Sequence, residues 1–448
     1  MSRDRITLIT GGTVFSGGRG GVVTPDGAVA VRGNRVADVG PAHEVTARNR
    51  SADRVDATGR LVMPGLINAH THLYSSLARG LLAEIEPSAN FVEQLEHLWW
   101  RLDRALTEDD VRVSAAVGAI DLIRNGTTTI VDHHASQTAI AGSLSIVAET
   151  LSDVGIRSNL CFEVSDRNGD RARDAGLAEN ERFAREAGAR DDGAMVAASV
   201  GLHASFTLSE ATLERAAAIA RANSLGCHIH SAEDAADEAD SLARCGKRVV
   251  ERLESAGVLG PRSIAVHCVH ADDREREILK TTGTMVVHNP QSNMNNAVGC
   301  ARVPAMLDAG ILVGLGTDGF STSMFDEMKV ANLIHRHEAR DPRAGRDLAR
   351  RLCIENNPEI ASRLVGSLVG TLERGALADL IVLDYDPPTP LESANFDGHL
   401  LFGLSGRCVE SVMVNGAFVM RDREFLTVDA GAVAARGREQ ASALWRRM

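Results

Sequence analysis

The sequence predicts an α/β fold: a (β/α)8 TIM-like barrel with a small β-sandwich domain formed by both chain termini. Three observations predict it. Eight short apolar runs recur between residues 61 and 365, separated by Ala-, Leu-, Glu- and Arg-rich stretches with helical spacing. The runs are apolar almost throughout instead of alternating, as strands of a parallel sheet covered by helices are. Short alternating segments with turn signals sit at both ends of the chain, and neither set is long enough to bury a β core alone.

In chain order, "ITLITGGTVF" and "GAVAVRGNRVADVG" read as strands joined through Gly-Gly and Gly-Asn turns. The barrel strands follow: the run ending in "NAHTH", then "TTTIVDHH", "GIRSNLCFEV", "AMVAASVGLHAS", "LGCHIH", "RSIAVHCVH", "GTMVVHN" and "GILVGLGTD". Eight such strands favour a closed barrel over an open sheet. Charged, Gly-interrupted residues 166–194 read as a solvated helix or a loop over the site. "ADLIVLDYD" and "VESVMVNGAFVMRD" return to alternating strands, the second broken by an Asn-Gly turn. The expected division is 1–60 with 366–448 for the composite β domain and its C-terminal helix, and 61–365 for the barrel.

Composition narrows the class. A formal charge of −12 excludes a nucleic-acid partner that needs clustered Lys and Arg. No apolar run approaches the ~18 residues of a membrane span, and the N-terminal apolar stretch is too short for a signal peptide. Seven scattered cysteines without a CxxC pair fit a reducing, cytoplasmic setting.

Barrel enzymes build their sites at the C-terminal ends of the strands. Those ends carry His70, His72, Asp132, His133, His134, Glu163, His203, His228, His230, Glu233, His267, His270, His288 and Asp318, which include ten of the chain's fifteen histidines. On a strand, residues two apart face the same side, so His70 and His72 point together. Imidazoles with one carboxylate suit Zn²⁺ or Fe²⁺ better than Mg²⁺ or Ca²⁺, and three His with one Asp leave a position for water. His335 and His337 mimic an HxH pair but follow a helical pattern, where two residues apart means different faces.

The motifs "PGLINAHTHLYSSLARG", "HIHSAED", "AVHCVH", "HNPQSN" and "LGTDG", in this order, resemble the amidohydrolase superfamily and its mononuclear deaminase and chlorohydrolase-like group. "WWRLDRAL", "VDHHAS", "DRNG", "SNMNN" and the terminal "WRRM" are similar to the SsnA-type aminohydrolases. The resemblance implies one divalent metal, Zn²⁺ or else Fe²⁺, held by His70, His72, His230 and Asp318. His230 is preferred to His228 because the family pattern is His-x-x-Glu and Glu233 completes it. Dinuclear relatives carry a bridging lysine before the strand-five ligand, whereas Lys247, Lys280 and Lys329 all follow it here.

The same resemblance implies hydrolytic deamination of a small amino-substituted N-heterocycle, purine- or pterin-like, with Glu233, His267 and Asp318 moving protons. His203 is the implied substrate contact, and His133, His288 and Trp99 are further candidates. Ring opening of a cyclic amide or amidine, loss of another leaving group, and a non-catalytic scaffold are the alternatives. A homo-oligomer, dimer or larger, is implied at family level.

Overall fold

A computed structural model describes residues 5–190 and 194–448. The eight barrel strands occur in the expected order: Leu66–Thr71, Thr127–His134, Arg157–Phe162, Val196–Ala198 continued by Val200–Ala204, Cys227–Ser231, Ile264–His267, Met285–His288 and Val313–Leu315. They pair in parallel as a four-stranded and a five-stranded sheet. The break falls inside the fourth strand at Ser199. Bridges Val164–Leu202 and Thr71–Asp318 join the two sheets at either side, and the Thr317 and Asp318 amides donate to the His70 carbonyl at 2.9 and 3.1 Å. The strands are short because each is buried on both faces and ends where its polar cargo begins. Residues 170–188 of the charged segment form a helix, and 191–193 lie outside the described residues.

The terminal strands interleave in one nine-stranded sheet. At its centre Leu61–Pro64 pairs antiparallel with Leu380–Leu383 and in parallel with Ile6–Phe15, so the sheet claims four residues beyond the expected boundary at 60. Alternation sorts the side chains. Val62, Leu380, Val382 and Met413 pack with Ile9, Val14, Val29 and Val31 in a core of the sheet's own. Leu61, Met63, Ile381, Leu383 and Val412 face the other way and merge with the large barrel core.

The Asn-Gly turn is present at Asn415–Gly416, with φ of 53° and 79°. A Cβ on Gly416 would lie 1.9 Å from the Gly33 carbonyl oxygen, so this turn docks backbone to backbone on the N-terminal half. The C-terminal helix, Ala430–Trp445, was expected with the β domain. It lies instead on the barrel helix Glu108–Arg124, where Gln440 Nε2 donates to Asp110 Oδ1 at 2.8 Å, and on the short helical turn Leu73–Ala78, where Trp445 Nε1 donates to the Leu77 carbonyl at 2.8 Å.

One ion pair ties sheet to barrel. Arg157, which opens the third barrel strand, is fully buried and donates through Nε and Nη2 to the two oxygens of Asp379 at 2.8 and 2.9 Å. Asp379 precedes the central strand of the terminal sheet and also accepts from the Asn415 amide at 2.7 Å. Breaking a buried pair from one side strands a charge, so Asp379→Ala is expected to cost about 3–5 kcal/mol. Guanidinium unfolding checks this, and the paired change Arg157→Met with Asp379→Leu should recover most of the loss.

Candidate active site

Strand ends bring His70, His72, His230 and Asp318 to one point: their ligand atoms all lie within 4.8 Å of one another. Each histidine is held by its other nitrogen. His72 Nδ1 donates to the His133 carbonyl at 2.6 Å, and His230 Nδ1 donates to the His203 carbonyl at 2.9 Å. His70 Nδ1 lies 2.9 Å from His228 Nε2. A carbonyl can only accept, so the protons of neutral His72 and His230 sit on Nδ1 and both Nε2 atoms present lone pairs.

Those two lone pairs face each other at 3.2 Å, and Asp318 Oδ1 stands 3.1 Å from His72 Nε2. His70 Nε2 is buried, makes no hydrogen bond and faces Asp318 Oδ1 at 3.6 Å. Acceptors so gathered repel unless positive charge lies among them. The protein's charges answer in kind. Burial pushes the His72 imidazole down, but the hydrogen bond and charge of Asp318 outweigh it and raise it to about 9. Burial pushes the Asp318 carboxyl up, and the adjacent imidazoles of His70 and His72 overcome this and hold it well below the carboxylate range. Three imidazole nitrogens and one carboxylate oxygen are the donor set of a borderline divalent ion, so the residues fit the group.

Glu233, His267 and Asp318 form a second convergence beside the first, again within 4.8 Å. His267 Nδ1 donates to Asn293 Oδ1 at 2.7 Å, leaving Nε2 as an acceptor 3.4 Å from Glu233 Oε2 and 3.8 Å from Asp318 Oδ2. Burial, and then the charge of Asp318, push the Glu233 carboxyl well above its usual range, so it carries a proton. His267 and Asp318 both have positive φ, 70° and 54°, at non-glycine positions. Such backbone is held only where the surroundings over-determine it, and that is common at functional sites.

The sequence did not single out the residues that support these groups. Ser292 Oγ donates to Asp318 Oδ2 at 2.6 Å, Asn293 orients His267, and Asn296 Nδ2 approaches Glu233 Oε1 at 3.4 Å. All three follow the seventh strand on or just after the short helix Pro290–Asn295. The polar run "QSNMNN" was the available signal.

A pocket opens over both convergences. His72, His230, Glu233 and Asp318 form its floor, with Ser292 and Asn296 beside them, and Phe91, Leu95, Trp99, Trp100, Phe206 and Phe320 form apolar walls. His203 and Trp99 line it, as does Glu163. His133 and His288, the other candidate substrate contacts, sit behind it. His133 is fully buried, its carbonyl fixing His72 and its Nδ1 lying 3.2 Å from Glu163 Oε2. The His288 ring centroid is 5.1 Å from that of His335, away from the opening.

A barrel built around such a centre defines a class, and comparison names it. Residues 61–419 match the Amidohydrolase family, and the chain belongs to it. Members of this family use a divalent metal. The chain is 34% identical over 423 residues to the 5-methylthioadenosine/S-adenosylhomocysteine deaminase of Syntrophobacter fumaroxidans, covering 92% of each. It is 33% identical over 425 residues to the 5'-deoxyadenosine deaminase of Methanothermobacter thermautotrophicus, covering 93% of each. The crystal structure of an adenosine deaminase from Xanthomonas campestris with bound zinc superposes with a TM-score of 0.85 at 25% identity, over all of both chains. The zinc complex of atrazine chlorohydrolase from Arthrobacter aurescens shares the fold with a TM-score of 0.82 at 21% identity, over 98% of this chain and 100% of that one.

Single replacements His70→Ala, His230→Ala and Asp318→Ala are expected to lose bound metal while circular dichroism stays native. Metal analysis of purified protein checks each, and a variant that keeps full metal content is not a ligand. Asn293→Leu should keep the metal yet slow turnover about 10–100-fold, as loss of an orienting partner does at metal sites.

Proposed function

We propose that this chain is an aminohydrolase that exchanges the exocyclic amine of a purine-type ring for oxygen, consuming water and releasing ammonia. The observation that carries the proposal is the approach of Glu233 Oε2 to His267 Nε2 at 3.4 Å beside the centre of three histidines and Asp318, all beneath aromatic walls. Adenosine-type nucleosides are the proposed substrates, in line with the relatives' names.

His70, His72, His230 and Asp318 would hold one divalent ion, zinc in this proposal. When bound, such an ion supplies a water whose pKa is lowered from ~15.7 towards ~7. The chain's own residues do the rest. Glu233 donates its proton to the ring nitrogen next to the attacked carbon, which makes that carbon more electrophilic. His267 Nε2 accepts a hydrogen bond from the water and keeps it pointed at the ring face. Asp318 takes up the water's proton on Oδ2, the oxygen that Ser292 already steadies, and passes it on to the departing amine, while the added hydroxyl's proton returns to Glu233 as the carbon–oxygen double bond forms. His203 Nε2 faces the pocket from the side, and Trp99 or Trp100 stacks on the flat ring.

Glu233→Gln keeps shape and hydrogen-bonding size but cannot deliver the proton, so turnover is expected to fall by about 10²–10⁴-fold with metal content unchanged. Near-normal rates would remove Glu233 from the proton path. Ammonia assay of the metal-loaded enzyme with adenosine, 5'-methylthioadenosine and 5'-deoxyadenosine tests the reaction itself: ammonia should form while the ultraviolet chromophore of the ring persists. Collapse of the chromophore without ammonia would show ring opening instead.

A further inference from the structure

The charges around the pocket are one-sided. Among the described residues, its lining includes five acidic side chains, Glu163, Glu233, Asp234, Asp237 and Asp318, and no lysine or arginine. Asp318 and Glu233 belong to the centre described above. Asp237 accepts from the Phe206 and Ala232 amides at 3.0 and 2.9 Å, and Asp234 caps the following helix through the Ala236 amide at 2.9 Å. Glu163 has no such duty on its pocket side. It is 3% exposed, with Oε2 lying 3.2 Å from His133 Nδ1. The partners nearest Oε1, His203 Nε2 at 3.8 Å and Arg167 Nη2 at 4.0 Å, are beyond hydrogen-bond range.

Arg167 is the nearest guanidinium, and it is already committed. Both of its Nη groups go to the buried Asp103, and its guanidinium carbon sits 5.0 Å from the centre of the Trp100 ring. Arg79 lies further out, in the groove that continues past Ser75 and Phe320, and pairs with Asp121 at 2.9 Å. An anionic group brought in on the Glu163 side of the ring would therefore give up its water, find no free lysine or arginine and face a fixed negative charge.

We infer that the pocket selects its substrate by charge, with Glu163 as the acceptor for an N–H, O–H or cationic group of the heterocycle and as the barrier to phosphate or carboxylate close to the ring. This rests on the deaminase proposal for the ring itself but goes beyond it, since it states which substituents the site refuses. Specificity of this sort comes as much from the unpaired partner that the wrong ligand would create as from contacts to the right one.

The test is calorimetric titration of metal-loaded Glu233→Gln protein with adenosine, 5'-methylthioadenosine and adenosine 5'-monophosphate. The two neutral nucleosides should bind, and the monophosphate should bind about 30-fold more weakly or worse, the scale of one like-charge contact at partly screened range. Adding Glu163→Gln should narrow that gap about tenfold while metal content stays the same. Monophosphate affinity within threefold of adenosine would overturn the inference, as would loss of metal in the Glu163→Gln protein, which would make Glu163 a ligand. Binding of none of the three overturns inference and deaminase proposal together. Neutral ligands that bind as expected, but release no ammonia from the unsubstituted enzyme, sink the deaminase proposal and leave the charge selection standing.

Discussion

Mutual repulsion among acceptors is the constraint around which the rest of the barrel mouth is arranged. His72 Nε2, His230 Nε2 and Asp318 Oδ1 crowd to 3.1–3.2 Å, a spacing that neutral rings and a carboxylate do not choose for themselves. The fold imposes it from outside. Backbone carbonyls of the second and fourth strands hold the Nδ1 side of two rings, and His228 holds the third. The two carbonyl grips keep a proton on Nδ1 as well as fixing the ring's position, so Nε2 of His72 and of His230 is the nitrogen turned to the centre. The bridge that joins the first strand to the eighth passes through Thr71 and Asp318, so joining the two sheets and delivering the carboxylate are one structural event.

Two carboxyl groups in the same pocket are driven to opposite protonation states by what surrounds them, which is how one fold runs acid and base chemistry together. Burial raises Glu163 as it raises Glu233, but His203 and His133 reverse the effect and hold Glu163 down at about 2. For Glu233 the negative Asp318 adds to burial, and together they outweigh the Asn296 amide and His72, so the carboxyl is pushed up. The first carboxyl is then available as a permanent acceptor and the second as a donor.

Much of this was legible in the sequence, for a physical reason. Parallel strands buried on both faces must be apolar almost throughout, so a polar residue at the end of such a run stands out; His70, His72, His230 and Asp318 were among those that did, and their choice as one set came from the family resemblance. The Asn-Gly turn was legible because the required positive φ leaves few other residues. What failed to read was anything set by depth or by contact between distant segments. His133 and His203 look alike as strand-end histidines, yet one lies beneath the pocket and the other lines it, because period-two alternation gives a side and not a height. Ser292, Asn293 and Asn296 read as a polar turn, and their partners on the fifth, sixth and eighth strands appear only once the barrel closes. The C-terminal helix carries a weak apolar stripe that specifies burial without naming the surface, and Asp110 and Leu77 decide it.

The terminal sheet bears on the site through the same logic of committed charge. Its central strand, Leu380–Leu383, is preceded by Asp379, and the buried guanidinium of Arg157 meets that carboxylate in bidentate fashion at the base of the third barrel strand. The same strand carries Cys161 and leads directly into Glu163, so its register relative to the second strand sets how far Glu163 stands from His133. A salt bridge remote from the chemistry thus anchors the strand whose far end places the pocket's free acceptor. It is replaceable in stability by well-packed apolar groups. It is less replaceable in register, because a bidentate pair accepts one alignment of strand and sheet where an apolar contact accepts several.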